Sequence, residues 1–161
     1  GYRYYDKKKM EVAFPFGYGL SYTQFSYGNL NMVKESPTDN DAVELTFTLT
    51  NAGKMKADEV AQIYLSPTDK KQQIRPIQLQ GFARVTLEPG ETKTVGIKLY
   101  TEQFGYYSNN GKRQWNVDPG KYEVKVASSS QDIRLKQTIV LKGKKITKPL
   151  REHYFSVATV K

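Results

Sequence analysis

Val43-Glu44-Leu45-Thr46-Phe47-Thr48-Leu49-Thr50 alternates apolar and polar side chains without a break. A period of two puts Val43, Leu45, Phe47 and Leu49 on one face of an extended chain, with the glutamate and threonines on the other, as a strand with one dry face requires. Turn residues follow at Asn51-Ala52-Gly53. A second extended run occupies 59–65, with Val60, Gln62 and Tyr64 on one side and Ala61, Ile63 and Leu65 on the other. Neighbours in sequence joined by a short turn, these two runs are expected to pair as an antiparallel hairpin.

Pro67 stops the second run, and 68–73 reads as an exposed, lysine-bearing loop. Extended structure resumes at 77–87. Glu88-Pro89-Gly90-Glu91 then turns the chain into a strand on which Val95, Ile97 and Leu99 alternate with polar residues, and a second hairpin is expected there. The stretch 101–107 is the only one with a helical start, and one short turn is expected there: Thr101 can cap, Glu102 sits in the first turn, and Phe104 and Tyr107 are three apart on one face. Asn109-Asn110-Gly111 and Asp118-Pro119-Gly120 bracket a short strand at 113–117. Alternation resumes at Tyr122, Val124 and Val126, and Ile133, Leu135 and 138–141 supply the last strand.

Seven to eight short antiparallel strands, with turn residues every eight to twelve positions, predict an all-β sandwich of the fibronectin type III or immunoglobulin architecture. In that frame Tyr122, just after Pro119-Gly120, suits a tyrosine corner, and Trp115 is read as a core plug rather than a ligand platform.

A chain of 161 residues buries roughly 70% of its unfolded surface, enough for one core without staples. No cysteine is present, which removes disulfides, thiolate metal sites and cysteine nucleophiles. No apolar run has the length of a membrane span, so none is expected. The first residues, Gly1-Tyr2-Arg3-Tyr4-Tyr5-Asp6, lack the zones of a signal peptide, so any export signal is expected upstream. Net charge is +9, but the lysines fall in small groups (Lys7 to Lys9, Lys70-Lys71, Lys112-Arg113, Lys144-Lys145) without interleaved stacking aromatics. That distribution describes solvated turns, and no nucleic-acid partner is expected.

Two segments stand outside the strand pattern. Residues 1–24 are crowded with aromatics and glycines, too apolar for a solvated tail, and 143–161 is basic before turning apolar at Tyr154-Phe155-Ser156-Val157. The latter is expected to add a strand or clamp a neighbouring domain.

Four blocks make the chain resemble the C-terminal end of the family 3 glycoside hydrolases, the β-glucosidase and β-xylosidase family, with their fibronectin type III-like domain. The most specific is Gly1-Tyr2-Arg3-Tyr4-Tyr5-Asp6 followed by Phe14-Pro15-Phe16-Gly17-Tyr18-Gly19-Leu20-Ser21-Tyr22-Thr23, which is similar to that family's exit from an α/β domain and its linker. Thr50-Asn51-Ala52-Gly53 with Asp58 to Leu65 resembles a central block, and Arg75-Pro76, Gly81 to Val85 and Pro89-Gly90-Glu91 a third. Tyr106-Tyr107, Trp115, Pro119-Gly120-Lys121-Tyr122, Ser128-Ser129-Ser130 and Asp132-Ile133-Arg134 make the fourth. The resemblance implies a division into 1–24, linker and end of an α/β domain; 25–142, sandwich; and 143–161, basic extension. It also implies periplasmic or extracellular residence, while leaving the cytoplasm open.

Retaining glycoside hydrolysis needs two carboxyl groups roughly 5–5.5 Å apart. Asp58 and Glu59 are adjacent on a strand and should point to opposite faces, and Asp39 and Asp41 sit in a polar loop. His153, the only histidine, has no second histidine or cysteine beside it, so neither a metal site nor a Ser-His-Asp arrangement is expected. Gly17-Tyr18-Gly19 is read as backbone bending between aromatic plugs rather than a phosphate loop. No catalytic residue, metal or cofactor is assigned, and the resemblance places the catalytic carboxylates in upstream domains.

The leading expectation is therefore a non-catalytic domain that packs on the catalytic domains of the same enzyme through Phe14, Phe16, Tyr18, Leu20, Tyr22, Tyr106 and Tyr107. The alternative is a polymer-binding module for polysaccharide or lignin, using exposed aromatics with Lys70, Lys71, Lys112 and Arg113.

Overall fold

A computed structural model describes residues 1–33, 41–69, 77–108 and 113–161. After a short helix, α1 (Tyr2–Lys8), the described residues form eleven strands. Four form one antiparallel sheet in the order β1 (Phe25–Val33), β2 (Ala42–Asn51), β5 (Thr92–Tyr100), β11 (Val157–Val160). The facing sheet has the order β4 (Gln78–Leu87), β3 (Ala57–Pro67), β8 (Gly120–Ala127), β9 (Ile133–Leu141). A small third sheet joins β10 (Ile146–Lys148), β7 (Gln114–Val117) and β6 (Tyr106–Ser108).

The period-two reading of β2 holds residue by residue: Val43, Leu45, Phe47 and Leu49 are at most 1% exposed. They meet Ala61, Ile63 and Leu65 of β3 and Val124 and Val126 of β8 in one apolar core. Each of the larger side chains contributes about 1.5–3 kcal/mol by leaving water.

Both expected hairpins are corrected. β2 pairs with β1 and β5, while β3 pairs with β4 and β8, so β2 and β3 lie in opposite sheets; β4 and β5 are likewise in different sheets. Alternation marks the dry face of a strand but carries no record of which edge finds which partner. Here the links at 52–56 and 88–91 are arches that carry the chain across the core.

Asn51, fully buried, ties the two arches together. Its N–H donates to the Glu91 carbonyl (3.0 Å) and its own carbonyl accepts from Gly90 N–H (2.9 Å). Its side-chain oxygen accepts from Thr23 Oγ1 (2.6 Å) and Gly53 N–H (3.1 Å), and its Nδ2 donates to the carbonyls of Met55 (2.8 Å) and Leu87 (3.1 Å).

The one short turn expected within 101–107 is present, and only its extent changes. A single 3-10 turn covers Thr101–Phe104, with the Gln103 side chain accepting from the Tyr100 N–H at 3.0 Å, and Tyr107 belongs to strand β6. Gly105 caps the turn in extended backbone, and a Cβ there would lie 2.5 Å from both the Asn116 carbonyl and Trp115 Nε1. Among the described residues the only α-helix is α1, where no helical signal was read. Seven residues are marginal alone, and α1 is held by Tyr2, which stacks on Phe16 (4.4 Å), meets Tyr64 edge-on (6.2 Å) and accepts from Leu79 N–H (2.9 Å).

Tyr122 makes the expected corner, its hydroxyl donating to the Asp118 carbonyl at 2.8 Å. Trp115 is half-buried against the core, donates to the Glu102 carbonyl at 2.9 Å and is covered by the Arg151 guanidinium at 4.8 Å.

Candidate functional site: two strapped segments and an exposed apolar face

Residues 1–24 lie across the outer face of the second sheet. This explains why β3 is buried on both sides: Gln62 is 4% exposed and Tyr64 fully buried, although they point away from the core. Tyr64 OH donates to Gln62 Oε1 (2.6 Å), and Gln62 Nε2 donates to the carbonyls of Gly17 (3.1 Å) and Ser128 (2.7 Å). Ser130 N–H adds a bond to the Phe16 carbonyl at 2.8 Å. Burial pushes the Tyr64 hydroxyl pKa up, so it stays a donor.

Gly17 sits at φ +78° in a turn closed by Tyr18 N–H to the Pro15 carbonyl (3.0 Å). A side chain there would collide with the Gln62 amide, 2.1 Å from the ideal Cβ. The bending role read for Gly17-Tyr18-Gly19 is what the backbone shows at Gly17.

Attachment uses backbone groups, Tyr2 stacked on Phe16, and Thr23, and it leaves most of the large apolar surface outside. Phe14 is 71% exposed, Phe16 45%, Tyr18 48%, Leu20 89% and Tyr22 94%, and Phe14 and Tyr18 lie with ring centres 5.4 Å apart. Tyr107 is half-exposed in the small sheet; Tyr106 is partly buried, with the Lys145 ammonium over its ring (5.5 Å) and bonded to its hydroxyl (3.2 Å). Of the cationic candidates, Arg113 is exposed, and Lys70, Lys71 and Lys112 lie outside the described residues, as does Asp39.

The C-terminal segment is an added strand rather than a free extension. β10 pairs with β7 and β11 with β5, and Thr94 and Lys161 exchange both backbone bonds (2.8 and 2.9 Å). Its lock is Glu102, 3% exposed, a residue read from sequence only as a first-turn acid. The carboxylate accepts from Lys148 Nζ (2.6 Å) and from the N–H groups of Glu152 (2.7 Å) and His153 (2.9 Å). Burial, the largest influence, pushes its pKa up, but the ammonium and the two N–H donors together outweigh it and hold the carboxyl at about 2. His153 stacks on Tyr100 at 3.8 Å, with Nδ1 3.5 Å from Glu102. Glu102, Glu152 and His153 are near enough to share an ion. With both Glu102 oxygens already accepting, however, the cluster serves as a latch.

The adjacent acids part as expected. Asp58 pairs with Arg84 on the surface (2.7 Å to Nε), and Glu59 accepts from Tyr27 OH (2.5 Å) toward the sandwich edge. Desolvation pushes the Glu59 pKa up despite that bond.

This architecture, with strand orders β1-β2-β5 and β4-β3-β8-β9 and a tyrosine corner, defines a fibronectin type III-like domain. The family profile described as Fibronectin type III-like domain matches residues 59–130. The chain is 39% identical over 139 residues to the thermostable beta-glucosidase B of Acetivibrio thermocellus, covering 86% of this chain and 18% of that protein. It is 39% identical over 153 residues to the exo-alpha-(1->6)-L-arabinopyranosidase of Bifidobacterium breve, covering 94% and 20%. Beta-glucosidase 3B of Thermotoga neapolitana, solved with alpha-D-glucose, superposes with a TM-score of 0.81 at 36% identity, covering 92% of this chain and 20% of that one. The chain belongs to the fibronectin type III-like domains of family 3 glycoside hydrolases, and it spans about a fifth of the length of these relatives.

Proposed function

We propose that this domain is a non-catalytic, structural part of a retaining, β-glucosidase-like hydrolase, and that it packs on and stabilises the catalytic domains of the same polypeptide. One observation carries the reading. The segment 1–24 spends backbone groups, Tyr2 and Thr23 on the sandwich and turns Phe14, Leu20 and Tyr22 outward at 71, 89 and 94% exposure. Monomers rarely expose contiguous apolar patches beyond a few hundred Å2, and larger ones mark interfaces. Phe16 and Tyr18 flank the same patch, with Tyr107 exposed elsewhere on the surface. The acids fit a supporting role: Asp58 is engaged by an arginine, Glu102 is consumed by the latch, and Glu59 pairs with a tyrosine. The catalytic carboxylates accordingly belong to other domains, and the working site is outside the cell or in the periplasm.

The test is the behaviour of the 161-residue chain alone. It should bind an apolar dye and self-associate with rising concentration in sedimentation experiments. A triple variant, Phe14→Ser, Leu20→Ser and Tyr22→Ser, should abolish both while leaving the β-sheet circular dichroism unchanged. A dye-silent monomer at high concentration would remove the basis of the reading.

A further inference from the structure

β8 pairs with β3 only from Gln62 onward, so the stretch of β3 that precedes Gln62 has no β8 residue beside it. A cleft of about 870 Å3 occupies that gap, walled by the 15–25 segment on one side and by the loop between β8 and β9 on the other. Its size falls within the roughly 300–1,000 Å3 of small-molecule sites.

Charge in the cleft is nearly compensated. Asp58 is engaged by Arg84 and Asp132 by Arg134 at 2.6 Å, leaving Glu59 as the cleft carboxylate that forms no salt bridge among the described residues. Tyr27 OH occupies Glu59 Oε1, and Oε2 has no hydrogen-bond partner among the described residues. Around this acceptor the wall presents donors, the Arg134 guanidinium and the Gln131 amide, and two rings, Tyr18, half-exposed, and Phe25.

A bound cation would meet the Arg134 guanidinium in the same space. A pyranose fits better: it has an apolar ring face for an aromatic wall and edge hydroxyls that donate to a carboxylate while accepting from guanidinium and amide groups. We propose that this cleft binds a short saccharide, with Tyr18 as the stacking wall, Glu59 Oε2 as the hydroxyl acceptor and Arg134 as the donor. The cleft is complete within this chain, so the inference does not rest on the docking role. Of the ring residues offered for docking, it uses Tyr18.

The experiment is an amide NMR titration of the 161-residue chain with cellohexaose, with xylohexaose and, as a cationic probe, with Nα-acetyl-lysine amide. At least one hexasaccharide should give saturable shifts centred on Tyr18, Glu59, Gln131 and Arg134. Glu59→Gln, which keeps an acceptor for Tyr27, and Tyr18→Ala, at an exposed position, should each weaken binding about tenfold. Lys136→Gln, outside the cleft lining, should leave it unchanged. The proposal is overturned if neither saccharide gives saturable shifts by about 20 mM, equivalent to a binding free energy of only about 2 kcal/mol. It is equally overturned if only the lysine probe binds, or if both cleft variants bind as the parent does. Dye binding by the exposed face is read separately, so the two readings fail independently.

Discussion

Replacing Asn51 by alanine tests how the two sheets are joined. The substitution removes four side-chain hydrogen bonds at a fully buried position. Of the groups left behind, the Leu87 carbonyl is held in a buried bond, whereas Thr23, Gly53 and Met55 are bonded where burial is partial. Stranding the buried carbonyl costs about 1–3 kcal/mol, and losing each of the other three about 0.5–1 kcal/mol, so about 2.5–6 kcal/mol is expected. With a urea m-value of about 2 kcal/mol/M, the midpoint should fall by about 2 M. Trp115, the single tryptophan, gives the fluorescence signal, with far-UV circular dichroism as the second probe. Asn51→Asp separates shape from donor loss, because it keeps the volume but aims a carboxylate at two carbonyls. Its pKa should rise in the folded state. The penalty should therefore be full at neutral pH and shrink as pH falls through the folded pKa toward the ordinary carboxylate value. A loss below about 1 kcal/mol for Asn51→Ala, or an Asn51→Asp variant indifferent to acid, would refute the idea that this residue sets the crossover.

Two further outcomes follow from the straps. Glu102→Gln should destabilise the chain by about 2–4 kcal/mol, since it leaves the Lys148 ammonium without its buried partner. It should also abolish slow hydrogen exchange in β10 and β11 while β2 and β3 keep theirs; uniform loss would argue against a local latch. The Glu102 pKa, about 2 in the fold, lies below its ordinary 4.5. In the parent chain this contribution is therefore fully present above pH 4.5 and drains away as pH falls toward 2. The Gln variant should lack that part of the acid dependence. Gly17→Ala places a Cβ against the Gln62 amide at a left-handed backbone position, so it should release the 1–24 segment. Limited proteolysis, with faster cleavage before Phe25 and an unchanged sandwich, is the check.

Much of the framework was legible in the sequence because its strands have one dry face. The odd-numbered positions of β2 and Tyr122 behind Pro119-Gly120 are cases where a local pattern states a local outcome. The two sites were harder. Leu20 and Tyr22 were picked out as excess apolar surface, but the helix beside them has no side-chain cap hydrogen bond and is held by Tyr2, which packs on Phe16 and Tyr64. Gln62 and Tyr64 alternate like outward-facing residues and are buried only because a segment 45 residues away covers them. Glu102 looked like any first-turn acid until Lys148 and residues 152–153 closed on it. Glu59 carried no mark of the cleft it lines.

From the amino-acid order alone came the extended elements, their apolar faces, the turns between them and the family signature of the first two dozen residues. Tertiary structure decided which edges pair, that both expected hairpins are crossings between sheets, and that the last strand returns to β5. The physical reason is range. Side-chain alternation is written within a few residues, whereas edge pairing and the satisfaction of a buried amide or carboxylate depend on groups brought together from 30 to 50 positions away.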